Sequence, residues 1–196
     1  MAKTLFQMAG ADLMPPKLSQ AVLIVIDAQN EYVDGKLPLP GVKPALVNIA
    51  RLLAKARADG GRIIHVQHRG RSGGAFDPAD RGFAIADEAA ALAGETVVEK
   101  PLPNAFASTT LNDTLVSMGA KRLVLAGFMT HMCVSSTARA ALDLGYQTTV
   151  AADACATRDL PASGGDISAA DLHRAELAAL ADRFSIVCDT DALVRV

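Results

Sequence analysis

The sequence predicts an α/β fold of three layers, a six-stranded parallel sheet with helices on both faces in the Rossmann-like manner. Three observations lead there. Short apolar runs alternate with longer segments of helical period. The runs lack the polar alternation of a half-exposed sheet, as strands covered on both faces should. The 196 residues supply one sizeable core but not comfortably two, so residues 1–196 are read as a single domain.

The first strand is Ala21-Val-Leu-Ile-Val-Ile26. Five more runs of this kind follow, at Arg62–Gln67, Thr96–Glu99, Arg122–Ala126, Gln147–Ala151 and Phe184–Val187. Helices fill the gaps. Pro44 opens one whose inner stripe is Leu46, Ile49 and Leu53, and Gly60-Gly61 stops it. Ser108 or Thr109 caps the next, with Leu111, Leu115 and Met118 inward and Gly119 at its end. A third runs from about Cys133 to near Gly145. The last has Ser168 as N-cap with Asp171 three residues on, and an inner face of Leu172, Ala175, Ala179 and Leu180.

Two stretches break this rhythm. Residues 68–94 are rich in Gly, Asp and Arg and too long for an ordinary connection, so a lid or binding loop is expected there. Thr157 to Gly165 reads equally well as a solvated linker.

Composition excludes several function classes. A net charge of −2 and scattered arginines give nucleic acid no basic surface. No run reaches the ~18 apolar residues of a membrane span, and the first residues lack a continuous secretory core. Three widely spaced cysteines, Cys133, Cys155 and Cys188, make neither a disulfide framework nor a zinc pattern. A cytoplasmic protein without a membrane partner is expected. The first strand is followed by DAQNEYVDG, with neither glycine pattern of a phosphate or dinucleotide site, so no cofactor is implied. No HExxH or comparable cluster occurs, and no metal is expected.

Ligands of open parallel sheets bind beyond the carboxyl ends of the strands. Asp27 follows strand one, Lys100 strand three and Cys133 strand four, so a carboxylate, an amine and a thiol fall on one edge. Cys133 at a helix start is expected to have a lowered pKa and amides able to meet an oxyanion, against the alternative of a buried core cysteine. Asp27, emerging from an apolar strand, is a general base or acid, or else a structural ion pair. Lys100 would keep both ionised in one cleft, or else is an ordinary exposed lysine. The four histidines divide. His65 is a core or subunit-contact residue; His68 follows its strand and lines the pocket. His131 offers a Cys/His dyad, or points away as loop residues before helices often do, and His173 is a surface residue. Tyr32, Phe76, Phe83 and Phe128 supply apolar walls, and His68, Arg69 and Arg71 meet an anionic group of a small-molecule substrate.

The segments VLIVIDAQNEY, VVEKPLPNAFASTTL and LVLAGFMTHMCVSSTARAALDLGY, in this order, resemble the isochorismatase-like cysteine hydrolase superfamily over residues 21–190. The resemblance implies an Asp-Lys-Cys triad at Asp27, Lys100 and Cys133. It also implies a cis peptide at Phe128–Met129, oxyanion donors in the backbone N–H groups of Met129 and Cys133, and a homodimer or higher homo-oligomer. The place where nicotinamidases of this superfamily carry a metal cluster reads VQHRGRSGGAFDP, which departs from that pattern. Isochorismatases proper cleave a vinyl ether and commonly lack the cysteine. Its retention here favours a cysteine-dependent hydrolase of an amide, ureide or carbamoyl C–N bond, acting through a thioester. The alternatives are a vinyl ether hydrolase using Asp27 as acid, and a non-catalytic binding protein on the same fold.

Overall fold

The computed structural model describes residues 2–195. Eight strands are present among them: β1 (Val22–Ile26), β2 (Arg62–His68), β3 (Thr96–Lys100), β4 (Arg122–Phe128), β5 (Gln147–Ala156), β6 (Leu160–Ala162), β7 (Gly165–Ile167) and β8 (Ser185–Cys188). Six of them form one sheet in the order β3-β2-β1-β4-β5-β8, and every pairing in it is parallel. The chain builds outward from β1 to β3, then returns to the other side of β1 with β4. The reversal opens a crevice at the carboxyl ends of β1 and β4, the place where such sheets accept ligands.

Alternation along β1 divides the core. Leu23 and Val25 face Leu46, Ile49, Leu52 and Leu53 of α2 (Val42–Ala58), with Leu193 of α6 (Thr190–Val194) in the same cluster. Val22, Ile24 and Ile26 face the opposite layer. There, α3 (Leu111–Ser117), α4 (Ser135–Asp143) and α5 (Ala169–Arg183) bring Leu111, Leu115, Ala138, Ala141 and Leu180. Burying each of these larger aliphatic side chains contributes roughly 1.5–3 kcal/mol.

All six strands fall where the sequence places them, but several ends and faces differ. β5 runs five residues past Ala151, to Ala156, after a register irregularity opposite Leu125 and Gly127. The stretch read as a solvated linker holds the antiparallel β6–β7 hairpin. Thr110, not Ser108 or Thr109, precedes α3, although Thr109 Oγ1 still accepts from Leu111 N at 3.2 Å. In α5, Ser168 caps as expected, yet Ala175 and Ala179 are exposed. The buried stripe passes instead through His173, Glu176, Leu177 and Leu180, because Glu176 is drawn inward by Ser135 Oγ (2.5 Å) and Arg139 (2.9 Å). The short α1 (Leu5–Met8) and α6 carried no period long enough to announce them.

Gly127 in β4 sits at φ 120°, and a Cβ there would lie 2.0 Å from the carbonyl oxygen of Ile26. Only glycine lets the two central strands close together at this point, immediately before Asp27. Residues 68–94 do not stand open. The loop pairs through a Gln29–Ile85 bridge, and Asn30 N–Ala84 O (2.9 Å) and Ala86 N–Ala28 O (2.8 Å) lay it over the sheet edge. Among the described residues no helix is long and apolar enough to cross a membrane.

Candidate active site

The three predicted groups meet. Lys100, the last residue of β3, places Nζ 2.7 Å from Asp27 Oδ2, 3.3 Å from Cys133 Sγ and 3.3 Å from His68 Nδ1. An ammonium has three hydrogens, and here three acceptors surround it. Lys100 and Asp27 are both 0% exposed, so the reading of Lys100 as an ordinary surface lysine fails. It anchors the cluster.

Asp27 stands at φ 50°, a left-handed conformation that Asp tolerates better than most residues, and turns its side chain into the crevice as β1 ends. Although Oδ2 touches the Lys100 ammonium, neither carboxylate oxygen has a well-aligned hydrogen-bond donor among the described residues. Burial raises its pKa above the ordinary 3.8, opposed chiefly by the Lys100 charge. The site therefore holds a buried carboxylate with unfilled lone pairs, poised to take a proton.

Cys133 lies in a π-helical turn, Thr130–Val134, that leads into α4. The wide turn shows in the bond from Val134 N to Met129 O at 3.2 Å. The Phe128–Met129 peptide before it is cis. The expectation of a lowered thiol pKa does not hold. Burial first, then the Asp27 charge, pushes the Cys133 thiol up to about 12, more than Lys100 draws it down. At rest the sulfur keeps its proton.

His68 is neutral as well: burial first, then the Lys100 charge, brings its pKa down to about 4. Its ring accepts from the ammonium at Nδ1 and stands edge-on to Phe76 at 5.0 Å. Tyr32 packs edge-on to Phe76 (5.0 Å) and Phe128 (5.8 Å), so Tyr32, His68, Phe76 and Phe128 form one aromatic wall. Phe76 holds φ 57°, unfavourable for so bulky a residue, within that wall. Arg69 and Phe83 fall outside it. Arg69 is half-exposed, bound to Glu99 at 2.5 Å and stacked over Phe83 at 5.2 Å, so its charge is engaged at the surface.

The other histidines are braces. His131 Nδ1 is 2.5 Å from Thr157 Oγ1, an engagement that turns it to the end of β5 and away from a Cys/His dyad. His173, expected at the surface, is partly buried and lies 2.8 Å from Thr130 Oγ1. That hydroxyl donates to Ala156 O (3.1 Å), so it accepts from the His173 ring. Both contacts tie the π turn to the elements beside it. His65 binds Glu95 at 2.9 Å, and Glu95 also pairs with Arg57, which settles His65 in the core.

One residue of the site carried no assignment from sequence. Gln29, fully buried, donates to His68 O (2.9 Å) and Phe83 O (2.8 Å) and accepts from His68 N (2.8 Å). It joins the ends of β1 and β2 to the covering loop. Its place two residues after Asp27, on the same edge, was the available signal. Among the described residues no three His, Cys, Asp or Glu side chains converge as a metal would require.

Comparison with known proteins places this geometry. The isochorismatase domain matches residues 21–192. The fold superposes on an isochorismatase from Pseudomonas putida KT2440 with a TM-score of 0.96 and 47% identity, covering 99% of this chain and 100% of that one. The chain is 39% identical over 178 residues to the secreted isochorismatase effector Isc1 of Verticillium dahliae, which spans 90% of this chain and 92% of that protein. It is 32% identical over 174 residues to the ureidoacrylate amidohydrolase RutB of Stutzerimonas stutzeri, 70% of each.

Proposed function

The chain belongs to the isochorismatase family of hydrolases, and we propose that it cleaves a C–N bond beside a carbonyl, in a small amide, ureide or carbamoyl compound. One observation carries the reading. A thiol stands 3.3 Å from the same ammonium that touches a buried carboxylate with unfilled lone pairs. Such a carboxylate can take the thiol proton as sulfur attacks the carbonyl carbon, which spares the site a free thiolate at rest. The oxygen of the tetrahedral adduct is met by the backbone N–H groups of Met129 and Cys133, since the first amides of a helical turn have no partner within it. Asp27 then returns the proton to the departing nitrogen as the C–N bond breaks. Water attacks the thioester, gives one proton to Asp27, and sulfur leaves to recover it. The products are the amine or ammonia and the acid.

Similarity to an amidohydrolase supports this reading. Three unpaired cysteines support a reducing compartment, the cytoplasm in our proposal. A second reading, vinyl ether cleavage, draws on the raised pKa of Asp27, which would suit an acid that protonates carbon. Incubation with small primary amides and ureides on one side, and an enolpyruvyl ether on the other, separates the two. Release of ammonia or amine from the first set is expected. Pyruvate from the ether, with no nitrogen released from any C–N compound, would install the second reading.

A further inference from the structure

We propose that a cavity at the amino ends of the strands binds a small, flat aromatic anion. It lies at the opposite pole from the reacting groups and stands apart from the chemistry assigned to them.

Place comes first. Arg122 opens β4, Gln147 to Thr149 open β5 and Phe184 stands just before β8, and all of them line a cavity of about 420 Å³. Asp27 and Cys133 follow the other ends of β1 and β4, so the length of β4, roughly 20 Å, separates the two regions. Small-molecule sites run from roughly 300 to 1,000 Å³ and are mostly apolar with a few polar groups. Here Leu142, Tyr146, Phe184 and Ile186 make an apolar floor. The roof is the segment between α1 and Leu18, in which Leu13 is partly buried and Met14 is exposed.

That roof is fastened at its ends alone. Leu5 N donates to Asp182 Oδ1 at the end of α5 (2.8 Å), Arg183 stacks over the Phe6 ring at 5.3 Å, and Leu18 is sunk in the core. Between Asp12 and Pro16 the described hydrogen bond is local, from Met14 N to Asp12 Oδ1 at 3.0 Å. The segment can therefore shift to admit a molecule without breaking a backbone bond to the sheet.

Charge selects the occupant. Arg122 and Arg183 stand at the rim, and neither pairs with a carboxylate among the described residues. Arg122 Nε donates to the neutral Gln147 Oε1 at 3.3 Å, and Arg183 lies on the Phe6 ring. The one acidic side chain in the lining, Asp12, already accepts from Met14 N. By contrast, Arg57 has Glu95 and Arg139 has Glu176. Two guanidiniums held against the cavity wall favour an anion, which each can meet with a planar fork. The rings of Phe6, Tyr146 and Phe184 offer edges and faces to a flat aromatic body.

Methionine methyl groups report on both poles of the unmodified protein. Met14 lines the cavity, while Met129 and Met132 come just before Cys133 in the chain. With isotope-labelled methionine methyls, naphthalene-2-sulfonate is expected to shift the Met14 resonance saturably and to leave those of Met129 and Met132 in place. Naphthalene-2-sulfonamide is the neutral control, because a carboxamide could be cleaved at Cys133. It is expected to bind wild type about fivefold or more weakly than the sulfonate. The sulfonate should lose a similar factor on the double variant Arg122→Met/Arg183→Met, whose exposed positions leave the fold intact. Affinities within about twofold of each other in either comparison would overturn the proposal. Shifts at Met129 and Met132 without one at Met14 would put the anion in the catalytic crevice. A Met14 resonance that moves with protein concentration and not with sulfonate would put a second copy of the chain over the cavity. Either result, or no shift at all, also overturns it.

Discussion

Cys133→Ala is expected to lower kcat on amide or ureide substrates by about 10⁴-fold or more while leaving the protein folded. In the proposed mechanism the thiol, 3.3 Å from Lys100 Nζ, is the attacking group and Asp27 carries its proton, so without sulfur no thioester can form. Removing one sulfur from a site of this size costs about 1 kcal/mol of stability. The unfolding midpoint and the circular dichroism should therefore stay close to wild type. The loss should be in kcat more than in KM, because the sulfur makes its bond in the transition state. A variant that keeps wild-type turnover would mean that the bond broken is not opened by sulfur.

Lys100→Met carries the largest expected cost in stability, about 3–5 kcal/mol, because it leaves a carboxylate buried without its cation. Both partners are completely enclosed, so solvent cannot take over the role. The cost should depend on pH. Burial already raises Asp27 above 3.8 in the folded protein. A carboxyl so raised favours folding below its unfolded pKa, and that advantage is lost as pH rises through the folded value. Lys100 is the leading influence holding that value down, so without it the folded pKa climbs further and the loss extends to higher pH. Urea unfolding at about pH 5 and about pH 8 should show a smaller deficit, relative to wild type, at the lower pH. A deficit that grows as pH falls, or no deficit at all, would contradict the description of this ion pair.

Much of this arrangement was legible before coordinates. Strands buried on both faces read as near-continuous apolar runs, so β1 and its neighbours were plain, and the ends of β1, β3 and β4 gave Asp27, Lys100 and Cys133. What a sequence conceals is what depends on neighbours far along the chain. In α5, alanines look apolar in any register, and only the pull of Ser135 and Arg139 on Glu176 decides which face turns in. His131 and His173 are chemically alike on the page, and their roles are settled by Thr157 and Thr130. Arg69 reads as a free cation until Glu99 is seen to lie opposite it, and a linker-like composition hid the continuation of β5 to Ala156. The thiol pKa was misjudged because a helix start was weighed without the burial that outweighs it.

The central claim is that carbon from the substrate is carried for a time on one sulfur. Intact-protein mass spectrometry, on enzyme quenched with acid during turnover of a small amide or ureide, reads it directly. An added mass equal to the acyl portion of the substrate, mapped to Cys133 and discharged by hydroxylamine, is the predicted result. Steady turnover with the protein mass unchanged at every quench time, and undiminished in Cys133→Ala, would contradict it.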